Sequence, residues 1–178
     1  DFDPSDGISP GQIDFVGVAV HELGHAMGFT SGVDVLDFNP MGFTDDAFTF
    51  VSPNDFLRFS PASESAGADI DFTADARAKY TSIDGGTTPS APLLDHYSTG
   101  VNFGDGRQAS HWKDNLGLGI MDPTSAPPGS ANVVTGLDIQ TLDVIGWNLS
   151  AIPEPSSFAA LALGFSWIGC RRRRQNKV

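Results

Sequence analysis

The clearest pattern of apolar and polar positions lies near the start of the chain. Apolar residues recur there at spacings of three and four, at Ile13, Val16, Val20, Leu23 and Met27. This spacing predicts one buried stripe along an α-helix. Ser9 and Gln12 suit a capping box, Pro10 the first helical position, and Gly28 a left-handed residue after the end. The pattern therefore predicts a helix over about residues 10–27.

A second helix start lies towards the other end of the chain. Residues 135–138, Thr-Gly-Leu-Asp, read as a capped start, and two spaced apolar residues follow. Gly146 is expected to end this helix. We expect Trp147 and Leu149 to pack back onto the core.

The stretch between these helices has a weaker pattern, which indicates loops and short segments. Residues 52–59 can form a short helix that begins at a Ser-Pro-Asn-Asp sequence. Residues 60–68 and 85–92 are rich in small and turn-forming residues, so we expect surface loops there. Residues 69–72 predict a short strand.

Charge divides the chain into two unequal parts. Residues 1–152 carry 21 acidic and 5 basic side chains, whereas residues 153–178 carry 1 acidic and 5 basic. An acidic body repels phosphate backbones, so we expect no nucleic-acid partner. Solubility explains the acidity, and Ca²⁺ binding is the alternative, but no calcium-loop motif assigns a site. The one cysteine, Cys170, lies in the basic part, so the body has no internal disulfide and a bound metal can contribute to its stability.

The predicted first helix carries a motif typical of zinc enzymes. His21-Glu22-Leu23-Gly24-His25 matches H-E-x-x-H. Residues four apart share one helix face, so both imidazoles can reach one Zn²⁺ ion. Glu22 then lies where its carboxylate can take a proton from a zinc-bound water. The alternative is a pair of surface histidines, and we favour the zinc site.

A catalytic zinc needs a third protein ligand, which the local sequence does not supply. In the extended motif H-E-x-x-H-x-x-G-x-x-H a histidine follows the glycine, but Ser31 occupies that position here. The remaining histidines are His96 and His111, and Asp34 and Asp37 are carboxylate candidates. Spacing alone leaves these four open.

Three segments together resemble the leishmanolysin-type metzincins. They are H-E-L-G-H-A-M-G-F at residues 21–29, S-H-W-K at residues 110–113 and G-I-M-D-P at residues 119–123. In that group a distant histidine followed by tryptophan precedes a methionine turn. The resemblance implies that His111 is the third ligand and that Met121 lies beneath the metal.

The same resemblance implies an α+β fold. We expect a loop-rich, metzincin-like zincin catalytic domain over residues 1–149, truncated at its N-terminus and lacking most of the N-terminal sheet. Residues 136–147 resemble the closing helix of related bacterial metalloproteases. No tyrosine follows Met121, so Tyr97 and its neighbour His96 are the candidates for an auxiliary role in the cleft, although a structural role for His96 is the alternative.

The end of the chain resembles a PEP-CTERM sorting signal. A Pro-Glu-Pro motif, an uncharged run over residues 158–170 and an arginine cluster follow in order. The motif and cluster residues are Pro153, Glu154, Pro155, Arg171, Arg172, Arg173 and Arg174. The run is shorter than the about 20 residues of a usual membrane span, but the arginines form a positive-inside stop signal. A buried terminal helix is the alternative.

These resemblances together imply an organisation and a function. Residues 150–157 form a linker, and residues 158–178 form a short membrane helix with a basic tail. An exosortase-type enzyme is expected to process the tail, after transient anchoring in the inner membrane of a Gram-negative bacterium and export to the cell surface or extracellular matrix.

The expected activity is that of a zinc-dependent endopeptidase acting on protein or peptide substrates. In this hypothesis Glu22 assists the attack of a zinc-bound water on the peptide bond. The alternative is a non-catalytic surface or biofilm-matrix protein with a structural zinc site. Glu22 argues against that alternative, because a structural site does not need a base.

Overall fold

The computed structural model describes residues 1–39 and 50–148. Within these ranges, short helices are combined with a two-stranded antiparallel sheet. The helices are α1 (Phe15–Ala26), α2 (Val33–Phe38), α3 (Pro61–Ala66) and α4 (Gly136–Val144), with 3-10 helices at Pro4–Asp6 and Pro53–Leu57. The strands are β1 (Arg58–Phe59) and β2 (Tyr80–Thr81), in which Arg58 pairs with Thr81 and Phe59 with Tyr80.

The chain divides into two units, Asp1–Trp147 and Asn148–Val178. The second unit lies outside the described residues except for Asn148. The predicted linker, hydrophobic run and sorting-signal residues therefore lie outside them too, namely Pro153, Glu154, Pro155, Arg171, Arg172, Arg173 and Arg174. Within residues 1–39 and 50–148, no helix has the length and apolar character needed to cross a membrane.

Helix α1 begins later than the sequence predicts. Gly11 has a φ of 81°, so a right-handed helix cannot pass through it. The N–H of Gln12 donates instead to the carbonyl of Ser9 at 3.0 Å in an isolated turn. The actual cap is Asp14, whose carboxylate accepts from the N–H of Gly17 at 2.8 Å. The predicted capping box at Ser9 is therefore wrong.

The end of α1 confirms the prediction made from Gly28. This glycine has a φ of 109°. Its N–H donates to the carbonyl of His25, and the N–H of Phe29 donates to the carbonyl of Gly24, each at 3.0 Å. Together these two bonds form a Schellman motif, which reverses the chain directly after the helix. Phe29 is thereby turned into the core, where it is fully buried.

The predicted buried stripe on α1 is wrong. Three of its five members are more than one third exposed, namely Ile13, Val16 and Leu23. The buried residues of the helix are Gly17 and Gly24. A methyl group at Gly24 would overlap the sulfur of Met121, and one at Gly17 would overlap the side chain of Asn132. Helix α1 is thus held by close approach of its backbone rather than by a row of large apolar side chains.

The segment predicted as a loop at residues 60–68 contains helix α3 instead. The hydroxyl of Ser60 accepts from the N–H of Ser63, and Pro61 occupies the first helical position. Gly67 ends the helix with a φ of 67°. Capping and proline placement therefore outweigh the loop-like composition.

The predicted strand at residues 69–72 is also wrong. The N–H of Asp71 donates to the carbonyl of Arg58 at 2.7 Å, but no strand is assigned to this segment. The side chain of Asp71 is buried and accepts hydrogen bonds from the hydroxyls of Ser60 and Thr73. Asp71 therefore binds hydroxyl groups of neighbouring residues instead of continuing a strand.

Two predicted helix starts are confirmed by their caps. Ser52 and Asp55 form a capping box, although the helix that follows is a 3-10 helix and gives way to β1 at Arg58. Thr135 and Asp138 form the capping box of α4. Residues 85–92 form turns and bends, as expected.

The end of α4 agrees with the sequence only in part. Gly146 ends the helix with a φ of 118°, as predicted. Trp147 is half exposed instead of packed inside, but its indole N–H donates to the carbonyl of Met27 at 2.6 Å. Leu149 lies outside the described residues.

The apolar core is small and lies between α1 and α4. Its buried members are Phe29, Tyr97, Trp112, Ile120 and Met121. The rings of Phe29 and Trp112 meet edge to face, with centroids 4.7 Å apart. Since Trp112 follows His111 directly, burial of its ring fixes the place where the His111 segment meets α1.

Candidate metal centre

Three histidines from two parts of the chain converge on one point. His21 and His25 lie one turn apart on α1, and His111 reaches them from a loop. The Nε2 atom of His25 lies 3.1 Å from that of His21 and 3.2 Å from that of His111. Within residues 1–39 and 50–148, this is the one group of three or more histidine, cysteine or acidic side chains close enough to share a metal ion.

Each ring is oriented by a backbone carbonyl at its other nitrogen. The Nδ1 atoms of His21 and His25 lie 2.8 Å from the carbonyl oxygens of Ile120 and Phe29. The Nδ1 atom of His111 lies 3.2 Å from the carbonyl oxygen of Gln108. A carbonyl can only accept, so each Nδ1 carries a proton and each ring turns its Nε2 atom towards the cluster.

This arrangement fits a cation better than it fits three free rings. The Nε2 atoms of His21 and His111 lie 3.1 and 3.2 Å from that of His25, and lone pairs at these distances repel unless a positive charge lies between them. Tetrahedral zinc with Zn–N bonds of about 2.0–2.1 Å would separate its ligand nitrogens by roughly 3.3–3.4 Å. Burial lowers the pKa of His111 to about 4, and the neighbouring His25 acts in the same direction, so this ring is neutral at pH 7.

Glu22 lies on the rim of a cavity that opens next to the histidines. Its side chain is exposed, because it points away from the buried face of α1. The cavity has a volume of about 500 Å³. Among the residues that line it are His21, Glu22, His25, Arg107, Gln108 and His111. A carboxylate and the three imidazoles thus face the same solvent-accessible space.

Met121 lies in a tight turn against α1. The N–H of Asp122 donates to the carbonyl of Gly119 at 3.3 Å, which closes the turn. The Met121 side chain is 1% exposed and contacts the helix at Gly24. The preceding residue, Ile120, supplies the carbonyl that orients His21. The turn therefore supports the histidine pair from the side opposite the solvent.

His111 is held in place through α2 and the turn that follows α1. The carboxylate of Asp34 accepts from the N–H groups of Ala109 and Ser110 and from the Ser110 hydroxyl. The Ser110 hydroxyl in turn accepts from the N–H of Ser31 at 2.8 Å. Ser31, at the position where a short zincin motif has its third histidine, therefore contributes to anchoring the residue beside His111.

The two carboxylates considered as third ligands have other roles. Asp34 is occupied by Ala109 and Ser110, as described above. Asp37 is buried and accepts from the N–H groups of Val101, Asn102 and Phe103 at 2.7–2.8 Å. Neither carboxylate belongs to the histidine group, so both are excluded as ligands in this arrangement. In the described part of the chain, no group of three or more acidic side chains is placed to share a calcium ion.

His96 and Tyr97 do not reach the histidine cluster. His96 is fully buried, and its Nδ1 accepts from the N–H of Thr81 at 2.9 Å. Tyr97 is also fully buried, and its hydroxyl donates to Asn54 at 3.2 Å. Burial raises the pKa of Tyr97 to about 12. Neither side chain lines the cavity, so the structure does not bring them to the candidate site.

Arg107 is not among the site residues predicted from the sequence, but it lines the cavity. Its guanidinium donates from Nε and Nη2 to one oxygen of Asp114, at 2.9 and 2.8 Å. The other oxygen of Asp114 accepts from the hydroxyl of Thr124 at 2.9 Å. Arg107 lies outside any helix or strand, four residues before His111, and no sequence motif marks it.

Comparison with known protein families, with characterised proteins and with solved structures gives no match. The geometry of the histidine cluster and the sequence motifs therefore carry the functional argument together.

Proposed function

We propose that the chain is an exported zinc-dependent endopeptidase of the metzincin type. One observation carries the proposal: the ligand nitrogens of three histidines converge beside a cavity whose rim holds Glu22. Three histidines with an open fourth position are typical of catalytic zinc. A structural zinc site is normally closed by four protein ligands.

In this proposal His21, His25 and His111 hold the zinc ion through Nε2. The carbonyl groups of Ile120, Phe29 and Gln108 fix the rings, as second-shell partners do in zinc sites. When bound, zinc would activate a water molecule and polarise the scissile carbonyl.

Glu22 would act as the general base and then as the general acid. Its carboxylate accepts a proton from the attacking water and delivers it to the nitrogen of the leaving amine. The exposed position of Glu22 at the cavity fits this role, since both substrate and water can reach it. Arg107, on the same cavity wall, would lie beside the bound peptide.

The experiment that tests this function compares the full chain with Glu22→Gln on an unfolded protein substrate. We expect wild-type hydrolysis to stop when zinc is chelated and to return when zinc is added. Loss of a general base typically costs about 10²–10⁴-fold in rate, so Glu22→Gln should lose at least that much while binding zinc normally. Hydrolysis at the wild-type rate by zinc-loaded Glu22→Gln would contradict the mechanism.

The second candidate function is a non-catalytic surface or matrix protein that keeps zinc for structure. It predicts zinc binding without hydrolysis of any polypeptide, and zinc removal would then unfold the protein rather than stop turnover. The open cavity at the cluster favours the enzyme.

We also propose that the C-terminal tail directs export. This rests on the sequence order of the Pro-Glu-Pro motif, the uncharged run and the arginine cluster. The mature extracellular protein is expected to end near Pro155. Mass spectrometry of the secreted form tests this, and recovery of a secreted chain that still carries Arg171–Arg174 would contradict it.

A further inference from the structure

One buried carboxylate connects α4 with both segments that build the histidine cluster. Asp138 is fully buried. One carboxylate oxygen accepts from the indole N–H of Trp112 at 2.7 Å. The other accepts from the backbone N–H groups of Ile120 and Thr135 at 2.9 and 2.7 Å. In the described part of the chain, no lysine or arginine forms an ion pair with it.

Helix capping explains only the bond to Thr135. A capping box needs the bonds between Asp138 and Thr135, which are present. The bonds to Trp112 and Ile120 bring in residues 26 and 18 positions earlier. Gly119 has no room for a side chain, because a methyl group there would overlap the Asp138 carboxylate. The absence of a side chain at Gly119 therefore lets the Asp138 carboxylate approach the turn that contains Ile120 and Met121.

Each long-range bond leads to a different histidine. Trp112 follows His111 directly, so holding its indole fixes the backbone from which His111 projects. Ile120 donates its N–H to Asp138 and offers its carbonyl to Nδ1 of His21 at 2.8 Å. The hydrogen bonds from Trp112 and Ile120 go to different oxygens of the Asp138 carboxylate. One side chain therefore holds the segments that position both histidines.

We propose that Asp138 is a positioning residue for the metal centre. Its carboxylate sets the separation of His111 from His21 by holding Trp112 with one oxygen and Ile120 with the other. This inference rests on the proposed zinc site but concerns how the site is held. Loss of a second-shell partner typically lowers metal affinity about 10–100-fold.

Asp138→Asn is the variant that tests the two-oxygen arrangement. The amide keeps one acceptor oxygen and replaces the other with an N–H₂ group, which then faces either the Trp112 indole N–H or the two backbone N–H groups. One route must therefore break. We expect zinc affinity, measured by competition with a chromophoric chelator on the full chain, to decrease about 10–100-fold.

A matched control separates positioning from general loss of stability. Asp71 is a buried carboxylate that accepts from Ser60 and Thr73, lies 3.7 Å from the Arg77 guanidinium, and has no hydrogen bond or ion pair with a histidine of the cluster. Asp71→Asn should weaken folding while leaving zinc affinity unchanged. The absorption spectrum of bound Co²⁺, which reports ligand geometry, should change in Asp138→Asn and not in Asp71→Asn.

Trp112→Phe tests the same idea if Asp138→Asn does not fold. It removes the indole donor but keeps a ring, and it leaves the Ile120 route intact. We expect an altered Co²⁺ spectrum and a smaller loss of zinc affinity than in Asp138→Asn. In the double variant the losses should be less than additive, because without the indole N–H the amide at position 138 can turn its N–H₂ group towards residue 112 and keep its oxygen for the backbone N–H groups.

The outcomes distinguish the two proposals. A wild-type chain that binds no zinc would overturn the proposed function. A wild-type chain that binds zinc, together with an Asp138→Asn or Trp112→Phe chain that has the same affinity and Co²⁺ spectrum, would overturn the positioning role alone.

Discussion

Two neighbouring segments of the chain each carry a buried histidine, yet only one of these histidines joins the cluster with His21 and His25. Tyr97 pairs antiparallel with Trp112. The N–H of Ser98 donates to the carbonyl of His111, and the N–H of Lys113 donates to the carbonyl of His96, at 3.1 and 2.7 Å. His96 and His111 thus lie at corresponding places, each directly before a buried aromatic residue.

The two rings differ in what contacts Nδ1. At His111 a carbonyl lies there, so Nδ1 carries the proton and Nε2 keeps its lone pair. At His96 a backbone N–H donates to Nδ1, so the neutral ring carries its proton on Nε2. That Nε2 has no hydrogen-bond partner among the described residues. The partner of Nδ1 therefore leaves an Nε2 lone pair available on His111 but not on His96, although both are buried histidines.

Burial lowers the pKa of His96, as it does that of His111. The carbonyl groups of Leu93 and Ala91 oppose the shift at His96 without forming hydrogen bonds to Nε2. Both rings are therefore kept neutral, and the difference between them is one of tautomer and location.

The largest expected effect is the difference in zinc affinity between the alanine variants of His111 and His96. His111→Ala removes a ligand, so zinc affinity should decrease by more than the about 10–100-fold typical of a second-shell change. His96→Ala should leave zinc affinity unchanged and destabilise the fold by about 1–3 kcal/mol, because the N–H of Thr81 loses its acceptor. Zinc titration and urea unfolding of both variants measure this. Loss of zinc affinity in His96→Ala but not in His111→Ala would contradict the assignment of His111 as the third ligand.

The next effect concerns the close contact that supports the cluster. Gly24→Ala forces its methyl group against the sulfur of Met121, and overpacking of this kind costs about 1–3 kcal/mol. Because the shift also moves the turn that orients His21, zinc affinity should decrease as well. Gly136→Ala is the control, since nothing lies within 4 Å of its added methyl group. Equal unfolding free energies for the two variants would disprove the tight contact.

A smaller effect is expected at the carboxylate that anchors the His111 segment. Asp34→Asn keeps the side chain size but loses one acceptor for Ala109 or Ser110, so zinc affinity should decrease roughly tenfold. Asp37→Asn disturbs an equally polar loop, at Val101 to Phe103, and should leave affinity within about twofold. Isothermal titration with zinc compares them, and a larger loss in Asp37→Asn would contradict the anchoring role of Asp34.

The smallest effect on zinc is expected at Arg107. Its side chain is 44% exposed and its ion pair with Asp114 lies at the surface, where such pairs contribute about 0–1 kcal/mol. Arg107→Ala should therefore keep zinc affinity and fold stability, while KM for a peptide substrate increases. A change in zinc affinity as large as that of Asp34→Asn would place Arg107 among the supports of the metal.

The elements that sequence predicts best are those set by local chemistry. The end of α1 at Gly28, the start of α4 at Thr135 and the cap at Ser52 depend on residues a few positions apart, so their signals are in the sequence. The i and i+4 spacing of His21 and His25 is of the same kind. Convergence of His111 with this pair is expected from the resemblance, and the three rings lie together in the structure.

The predictions that are wrong concern features that contacts between residues distant in the sequence determine. The apolar stripe on α1 is exposed because Met121 approaches the backbone at Gly24 from 97 positions away. The predicted start of α1 is too early, because a capping pattern does not reveal the positive φ of Gly11. In the sequence, Asp34 is a ligand candidate and Asp138 is part of a helix start. Only the folded chain shows that Asp34 accepts from the N–H groups of the two residues before His111, and that Asp138 accepts from the N–H of Ile120.

X-ray absorption at the zinc edge tests the central claim most directly. For the zinc-loaded full chain we predict three imidazole nitrogens at about 2.0–2.1 Å and one further light atom from solvent. The number of imidazoles should fall from three to two in His111→Ala and stay at three in His96→Ala. Two imidazoles in the wild-type chain, or no change in His111→Ala, would contradict the three-histidine site.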